Sequence, residues 1–395
     1  MAILIIHRTR KIPDYYKWLA GTNEELILFM RKTSTGDLSG YAKVREFDHF
    51  DSDELIGEVM QLHQQTAIRF IVALAEEDII IAGRLRSLLN IPGQDAESAI
   101  AYRNKVVMKK FVSSQNIKCP HFKELHELND LYQFIDDYGN NVVVKPKEGY
   151  GSLNTYIIRN EAELIHTVHE ISEHNLDEFM VETFVPGEMV SVNGLAVDDK
   201  IKFCSVNKYA QGCAEFKEGI NQLITTVSHQ DKLYIQARQF TENIIQALPS
   251  PQVLVFHCEL FHQNGQFVFC EIASRPSGGW ICDAIQHSHG INLKEKFVKI
   301  SCGIRETLED IAPTVLAGIY FIPVQEGTLQ KQLADIPIEW VKQYIPVTQP
   351  GTYCQAAADC VDIVGVILFV GENDEELLEK SNILKEYIKE QIQWN

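Results

Sequence analysis

The segment VLVFHCELFHQNGQFVFCEIASRPSGGW, residues 253–280, carries two acids in otherwise apolar company. Glu259 lies in the first of two β-rich runs, Glu271 in the second, and Arg275 follows four residues later. Asn264-Gly265 between the runs is a strong short-range hairpin signal. Side chains alternate faces along a strand, so an odd-length connection brings both carboxylates to one face, whereas a two-residue loop sends them to opposite faces. The expectation is the odd loop. Two carboxylates beside a guanidinium suit a divalent cation holding a phosphate chain, because hard cations take oxygen ligands and Arg grips phosphate bidentately. Taken alone, the same residues also fit an exposed edge hairpin with its acids in water.

Other stretches carry the complementary charge. NNVVVKPKEGYGSLNTYII, residues 140–158, places Lys145 at the end of an apolar strand, ahead of Gly149-Tyr150-Gly151-Ser152 and a returning strand. Such a flap can lay backbone amides over phosphates, although an ordinary hairpin with an exposed lysine reads the same way. In FMVETFVPGEMVSVNGLAV, residues 179–197, Glu182 ends a strand, and a Pro186-Gly187 turn leads to Glu188 and the next strand. Residues 95–115 read as one helix whose Arg103, Lys105, Lys109 and Lys110 fit a solvated basic face.

These residues need elements to position them. At 395 residues the natural division is two to three domains. Residues 1–100 alternate apolar strands (AILIIH, ELILFM, RFIVAL) with helices near 53–66 and 77–90, the pattern of a mostly parallel sheet, and Asn90-Ile-Pro-Gly93 closes the unit. No G-x-G-x-x-G follows the first strand, so a dinucleotide site is not indicated. Lys208, Glu215, Lys217 and Glu218 fall in an expected mobile loop within 195–227. Helices are expected at about 229–247 and 281–303, and a last α/β unit from about 303 holds the strands TVLAGIYFIPV and DIVGVILFVG. Asn373 with Glu376 reads as a capping box for the final helix, with Leu377, Leu384, Ile388 and Ile392 along one side.

Bulk properties narrow the classes. A net charge of −18 without a long acidic run disfavours nucleic acid or anionic membrane as the main partner. No stretch has the roughly 18 apolar residues of a membrane span, and the first residues lack signal-peptide character, so the expected location is cytoplasmic. Nine cysteines without a C-x-x-C pair suggest neither a disulfide framework nor a zinc site. His287-Ser288-His289 is a weak metal cue.

The order of these signals, a basic helix, a lysine before a glycine loop, an acid at a strand end, and two Glu strands ending in E-x-x-x-R, resembles the ATP-grasp superfamily. Within it, the branch resembled is the bacterial L-amino acid (dipeptide) ligases, and the resemblance covers nearly the whole chain. It implies an α/β ATP-grasp fold: an N-terminal Rossmann-like domain over 1–114, a small mobile lid over 115–183, a core with the metal site over 184–302, and a C-terminal α/β subdomain over 303–395.

The resemblance also implies roles. Lys105 and Lys145 match lysines that meet the nucleotide, and the loop with Gly149, Gly151 and Ser152 matches the flap over the β- and γ-phosphates. Glu182 with the backbone of Phe184 and Val185 matches the adenine site, and Glu188 the ribose position. Glu259 and Glu271 match ligands of one or two Mg²⁺ ions, with Mn²⁺ as a substitute, and Arg275 matches the residue that stabilises phosphoryl oxygens. Ala273 departs from the family, where many members place an Asn ligand; Ser274 or water could serve instead. His257 and Trp280 are candidates for substrate contact. The implied reaction activates a carboxylate with ATP as an acyl phosphate and passes it to an amine, releasing ADP and phosphate. Small-molecule carboxylates and amines are the expected substrates, and the resemblance also implies a homodimer as one expected assembly. The alternatives are acyl transfer to a carrier-protein thiol or natural-product amine, and a non-catalytic nucleotide-binding relative. Specificity is expected from residues 205–230 and the walls near 257 and 280, where an acidic lining would suit a basic amino acid.

Overall fold

Ala2–His7 (β1) and Glu25–Arg31 (β2) are apolar along almost their whole length because both of their faces are covered. With Lys43–Phe47 (β3) and Ile68–Ala73 (β4) they form a parallel sheet in the order β3-β2-β1-β4. The helices Tyr15–Trp18 (α1), Asp53–Gln65 (α2) and Ile79–Leu89 (α3) accompany it. This is the parallel unit expected, with α1 and the largely polar β3 added. The computed structural model describes residues 1–50, 53–210, 223–357 and 362–395. Glu215, Lys217 and Glu218 of the expected loop therefore lie outside the described residues.

The single helix expected over 95–115 is two, Ala96–Ala101 (α4) and Lys105–Ser114 (α5). Asn104 between them is extended, and its side chain accepts from the amides of Val106 and Val107, a cap that starts a new helix. Nor is α5 a solvated basic face. Arg103, Lys105 and Lys109 are buried, and of the four cations only Lys110 is exposed.

A small antiparallel sheet follows, ordered β5-β8-β6-β7 from Phe122–Glu124 (β5), Val142–Pro146 (β6), Tyr156–Ile158 (β7) and Phe179–Thr183 (β8). Leu128–Tyr138 (α6) and Glu161–Ser172 (α7) cover it, and Leu131, Phe134, Val144, Ile171 and Val181 give it a core of its own.

The largest sheet is antiparallel throughout. It takes in Glu188–Val197 (β9), Lys200–Tyr209 (β10), Leu223–Thr226 (β11), Val253–Gln263 (β12), Gln266–Ala273 (β13) and Leu316–Pro323 (β14). After Gly327–Lys331 (β15), Val341–Pro346 (β16) and Tyr353–Cys354 (β17), Ile363–Gly371 (β18) completes the order β13-β12-β9-β10-β11-β14-β18-β16. Strands from before and after residue 303 thus share one sheet. On one face Lys232–Ala247 (α8) and α5 pack against Val192, Phe256 and Leu260. On the other lie Ile281–His289 (α9) and Leu293–Ser301 (α10), one expected helix divided at the left-handed Gly290. The final helix, Asp374–Gln391 (α11), buries Leu377 and Leu384, and Gln393–Trp394 (β19) pairs with β15. Asn373 caps α11 as expected, but the Glu376 carboxylate binds the Glu372 amide, one residue short of a capping box. No helix of the described residues is long and apolar enough to cross a membrane.

Gly194 marks how tightly the large sheet is built around β9. A Cβ there would stand 2.1 Å from the Phe203 carbonyl oxygen and 2.9 Å from Cys204 Cα. Gly194→Ala is therefore expected to destabilise the fold by roughly 1–3 kcal/mol, seen as a lower urea midpoint with an unchanged denaturant slope.

Candidate active site

The turn between β12 and β13 is the two-residue kind, with Asn264 (φ 51°) and Gly265 (φ 75°) both left-handed between the paired Gln263 and Gln266. The odd loop expected from the sequence is absent. Glu259 nevertheless stands directly opposite Glu271, because Leu260 pairs with Phe269 and Cys270 is an extra residue before the next pair. The odd residue is a β-bulge within the strand. Helix α5 and the segment after it hold the bulge in place: Lys109 Nζ donates to the Cys270 carbonyl at 2.6 Å, and the Phe269 amide donates to the Lys118 carbonyl at 2.8 Å.

The surrounding cations come from separate elements. Lys105, at the first turn of α5, places Nζ 3.2 Å from Glu271 and donates to the Gly149 carbonyl at 2.6 Å. Lys145 on β6 and Lys109 flank Glu182 on β8 at 2.6 and 3.2 Å. Burial opposes ionisation of Glu271, but the ammonium groups of Lys105, Lys145 and Lys109 outweigh it and hold the carboxyl down to about 2. Burial likewise works against the Glu182 anion, and Lys109 and Lys145 bring its pKa below the usual carboxylate value. His257 on β12 is fixed by Asn193 Oδ1 at 2.7 Å and Glu259 at 3.2 Å.

One further acid at the site was not expected from the sequence. Glu76, in the turn after β4, is buried and binds both Arg103, at 2.5 Å, and Arg275. Burial again opposes its charge, and the two guanidinium groups lower its pKa. Its neighbour Glu77 accepts from Tyr150 Oη at 3.0 Å, and Arg103 donates to the Glu148 carbonyl at 2.5 Å, so the glycine loop is clasped from the N-terminal sheet. The available signal was the run Glu76-Glu77-Asp78 just past a parallel strand, the end of such sheets where ligands gather.

These groups share one cavity of about 570 Å³. Lys105, Lys145, Gly149, Gly151, Ser152, Glu182, Phe184, Val185, His257, Glu259, Glu271, Arg275 and Trp280 all line it. Glu188 does not; it opens β9 at the surface with its side chain 73% exposed. Ala273 and Ser274 are buried and outside the lining. His289 is buried and bonds Ser288 away from this cavity, and the described residues contain no cluster of three or more His, Cys, Asp or Glu suited to a metal. The paired carboxylates, 19% and 27% exposed, offer an all-oxygen donor set that fits a hard cation such as Mg²⁺. Glu182 fits an amine donor: its Oε2 is buried and, although 3.2 Å from Lys109, has no hydrogen bond of proper geometry.

The ATP-grasp domain family matches residues 110–289. An L-arginine-specific L-amino acid ligase of Bacillus subtilis is 28% identical over 288 residues, covering 69% of this chain and 66% of that protein, so the chain spans just under two thirds of that relative. An L-amino acid ligase structure from Bacillus licheniformis superposes with a TM-score of 0.80 at 19% identity, covering 100% of this chain and 98% of that one. A biotin carboxylase domain from Hydrogenobacter thermophilus, in complex with MgADP, gives 0.69 at 11% identity over 99% of this chain and 90% of that one. At these identities the structures establish a shared fold.

The depressed Glu271 pKa has a stability consequence. Its ordinary value is 4.5 and its folded value about 2, so its contribution is fully present above pH 4.5 and is lost as pH falls through 2. Thermal unfolding followed from pH 6 to pH 2 should show this loss, and Glu271→Gln should give a shallower decline over that window.

Proposed function

We propose, from the match of residues 110–289 to the ATP-grasp domain family and from the shared fold, that the protein is an ATP-dependent carboxylate–amine ligase joining amino acids into a dipeptide or amide, with release of ADP and phosphate. The observation that carries this reading is the convergence of Glu259, Glu271, Lys105, Lys145 and Arg275 on one cavity beneath the glycine loop. The relatives' names, L-amino acid ligases, support it.

In this reading Glu182, with the backbone of Phe184 and Val185, receives the adenine, Lys145 and Lys105 lie along the phosphates, and the amides of Gly149–Ser152 cover them. Residues 115–183, with their own core, act as the lid. Glu259 and Glu271 would hold Mg²⁺, which would supply neutralisation of phosphate charge when bound. With Ala273 and Ser274 outside the cavity lining, a second ion would depend on Glu271 and water. Glu188, exposed and off the cavity lining, is left out of the ribose site in this reading.

A substrate carboxylate oxygen attacks the γ-phosphorus, the bond to the β-phosphate oxygen breaks, and ADP leaves. Arg275, oriented by Glu76, meets the oxygens where negative charge builds during transfer. An amine then attacks the acyl carbon, the C–O bond to phosphate breaks, and phosphate departs. Holding two anions together is the main difficulty, and the convergent cations answer it. Transfer to an acidic carrier protein gains no support from α5, which buries most of the charge that would have formed a docking patch. We place the reaction in the cytoplasm, where ATP is at hand.

Purified protein with Mg-ATP and paired amino acids should release phosphate and form a product of dipeptide mass; phosphate silence across all pairs contradicts the reading. Arg275→Ala should lower turnover by about 10²–10³-fold while circular dichroism stays unchanged.

A further inference from the structure

Past the two carboxylates, the cavity continues along the same face of the large sheet to a wholly different lining. Tyr209 on β10, Ile224 on β11, Phe321 on β14 and Ile363 on β18 are all buried there, with Trp280 and Val347 beside them. Trp280 stands edge-on to Phe321, with ring centroids 6.0 Å apart and planes at 67°. It is held in the left-handed conformation (φ 60°) at the head of α9, five residues after Arg275. The segment 275–280 thus runs directly from the guanidinium end of the cavity to this aromatic wall.

Building on the ligase reading above, we propose that this chamber receives the side chain of an amino-acid substrate and selects apolar side chains of leucine size or larger. Among the described residues lining the cavity, the carboxylates are Glu182, Glu259 and Glu271. Each already faces a basic side chain: Lys109 and Lys145, His257, and Lys105 respectively. None comes from the strands that form the apolar chamber. A guanidinium or ammonium entering it would lose its hydration and meet no unpaired carboxylate among the described lining residues in return. A carboxylate would fare no better, because Lys105, Lys145 and Arg275 are already engaged by Glu271, Glu182 and Glu76. An apolar side chain, by contrast, gains by leaving water for aromatic and branched aliphatic surface. The Bacillus subtilis relative is arginine-specific by name. The chamber described here is unsuited to that side chain, and the two proteins should differ in substrate.

The test is phosphate release by the full-length protein with Mg-ATP and the twenty L-amino acids, singly and in pairs. Productive pairs should contain at least one of Leu, Ile, Met, Phe, Tyr or Trp, with kcat/KM at least tenfold above the same pair carrying Ala instead. Pairs drawn only from Arg, Lys, Asp and Glu should be at least a hundredfold slower. Ile224→Glu should raise arginine relative to leucine at least tenfold without changing KM for ATP. Phe321→Leu, which keeps the chamber apolar, covers the case in which Ile224→Glu does not fold; it should raise tryptophan relative to leucine several-fold. A preference for charged pairs would overturn this inference and leave the ligase reading standing. So would an unchanged amino-acid ranking in the variants accompanied by a raised KM for ATP, since the chamber would then hold the nucleotide. Silence with every pair, in protein that still binds Mg-ATP, would overturn both.

Discussion

The site depends on one buried ammonium group. Lys109 is fully enclosed, and its Nζ is shared between the carbonyl of the bulged Cys270 at 2.6 Å and the carboxylate of Glu182 at 3.2 Å, with the Phe269 ring at 5.4 Å. A buried cation needs partners, and these are the two places where the site would otherwise come apart. Fixing the bulge turns Glu271 to face Glu259. Fixing Glu182 holds Lys145 at 2.6 Å. Glu271 in turn holds Lys105, and Lys105 holds the glycine loop through the Gly149 carbonyl. One chain of charge therefore ties helix α5, the small sheet, the hairpin and the flap into a single geometry.

A second chain reaches the same cavity from the N-terminal sheet. Glu76 binds Arg275 and Arg103, Arg103 binds the loop at Glu148, and Glu77 binds Tyr150. The flap is thus set from two sides, by α5 and by the turn after β4. In both chains acids and bases alternate, so charges that would be costly to bury singly are neutralised by neighbours. The same cations are suited to phosphate and the same carboxylates to a metal ion. Mg-ATP brings both signs of charge together, so it can replace these partners without leaving the cavity strongly charged.

Much of this was legible in the sequence, and what was not has physical causes. Strands such as AILIIH and DIVGVILFVG announce themselves by apolar runs, and Glu259, Glu271 and Arg275 by being polar within or beside such runs. Their common face was expected, but from the loop; it comes from a bulge pinned by Lys109, 161 residues before the carbonyl it binds, a contact no local pattern contains. The apolar period runs on through Tyr102–Asn104 and masks the break there, although Asn104 is itself a capping residue. A lysine-rich helix looks solvated until its distant acids are known, which is why Lys105 and Lys109 read as surface. Glu76 acquires meaning only from Arg275, 199 residues on.

If ATP phosphorylates a substrate carboxylate in this cavity, one carboxylate oxygen must end up in phosphate. An amino acid labelled with ¹⁸O in its carboxyl group would be turned over with Mg-ATP and the released phosphate analysed by mass. One ¹⁸O atom is expected in each inorganic phosphate, because the attacking oxygen leaves with the phosphoryl group when the amide forms. Dipeptide formation with unlabelled phosphate, or with the label in AMP, would contradict it.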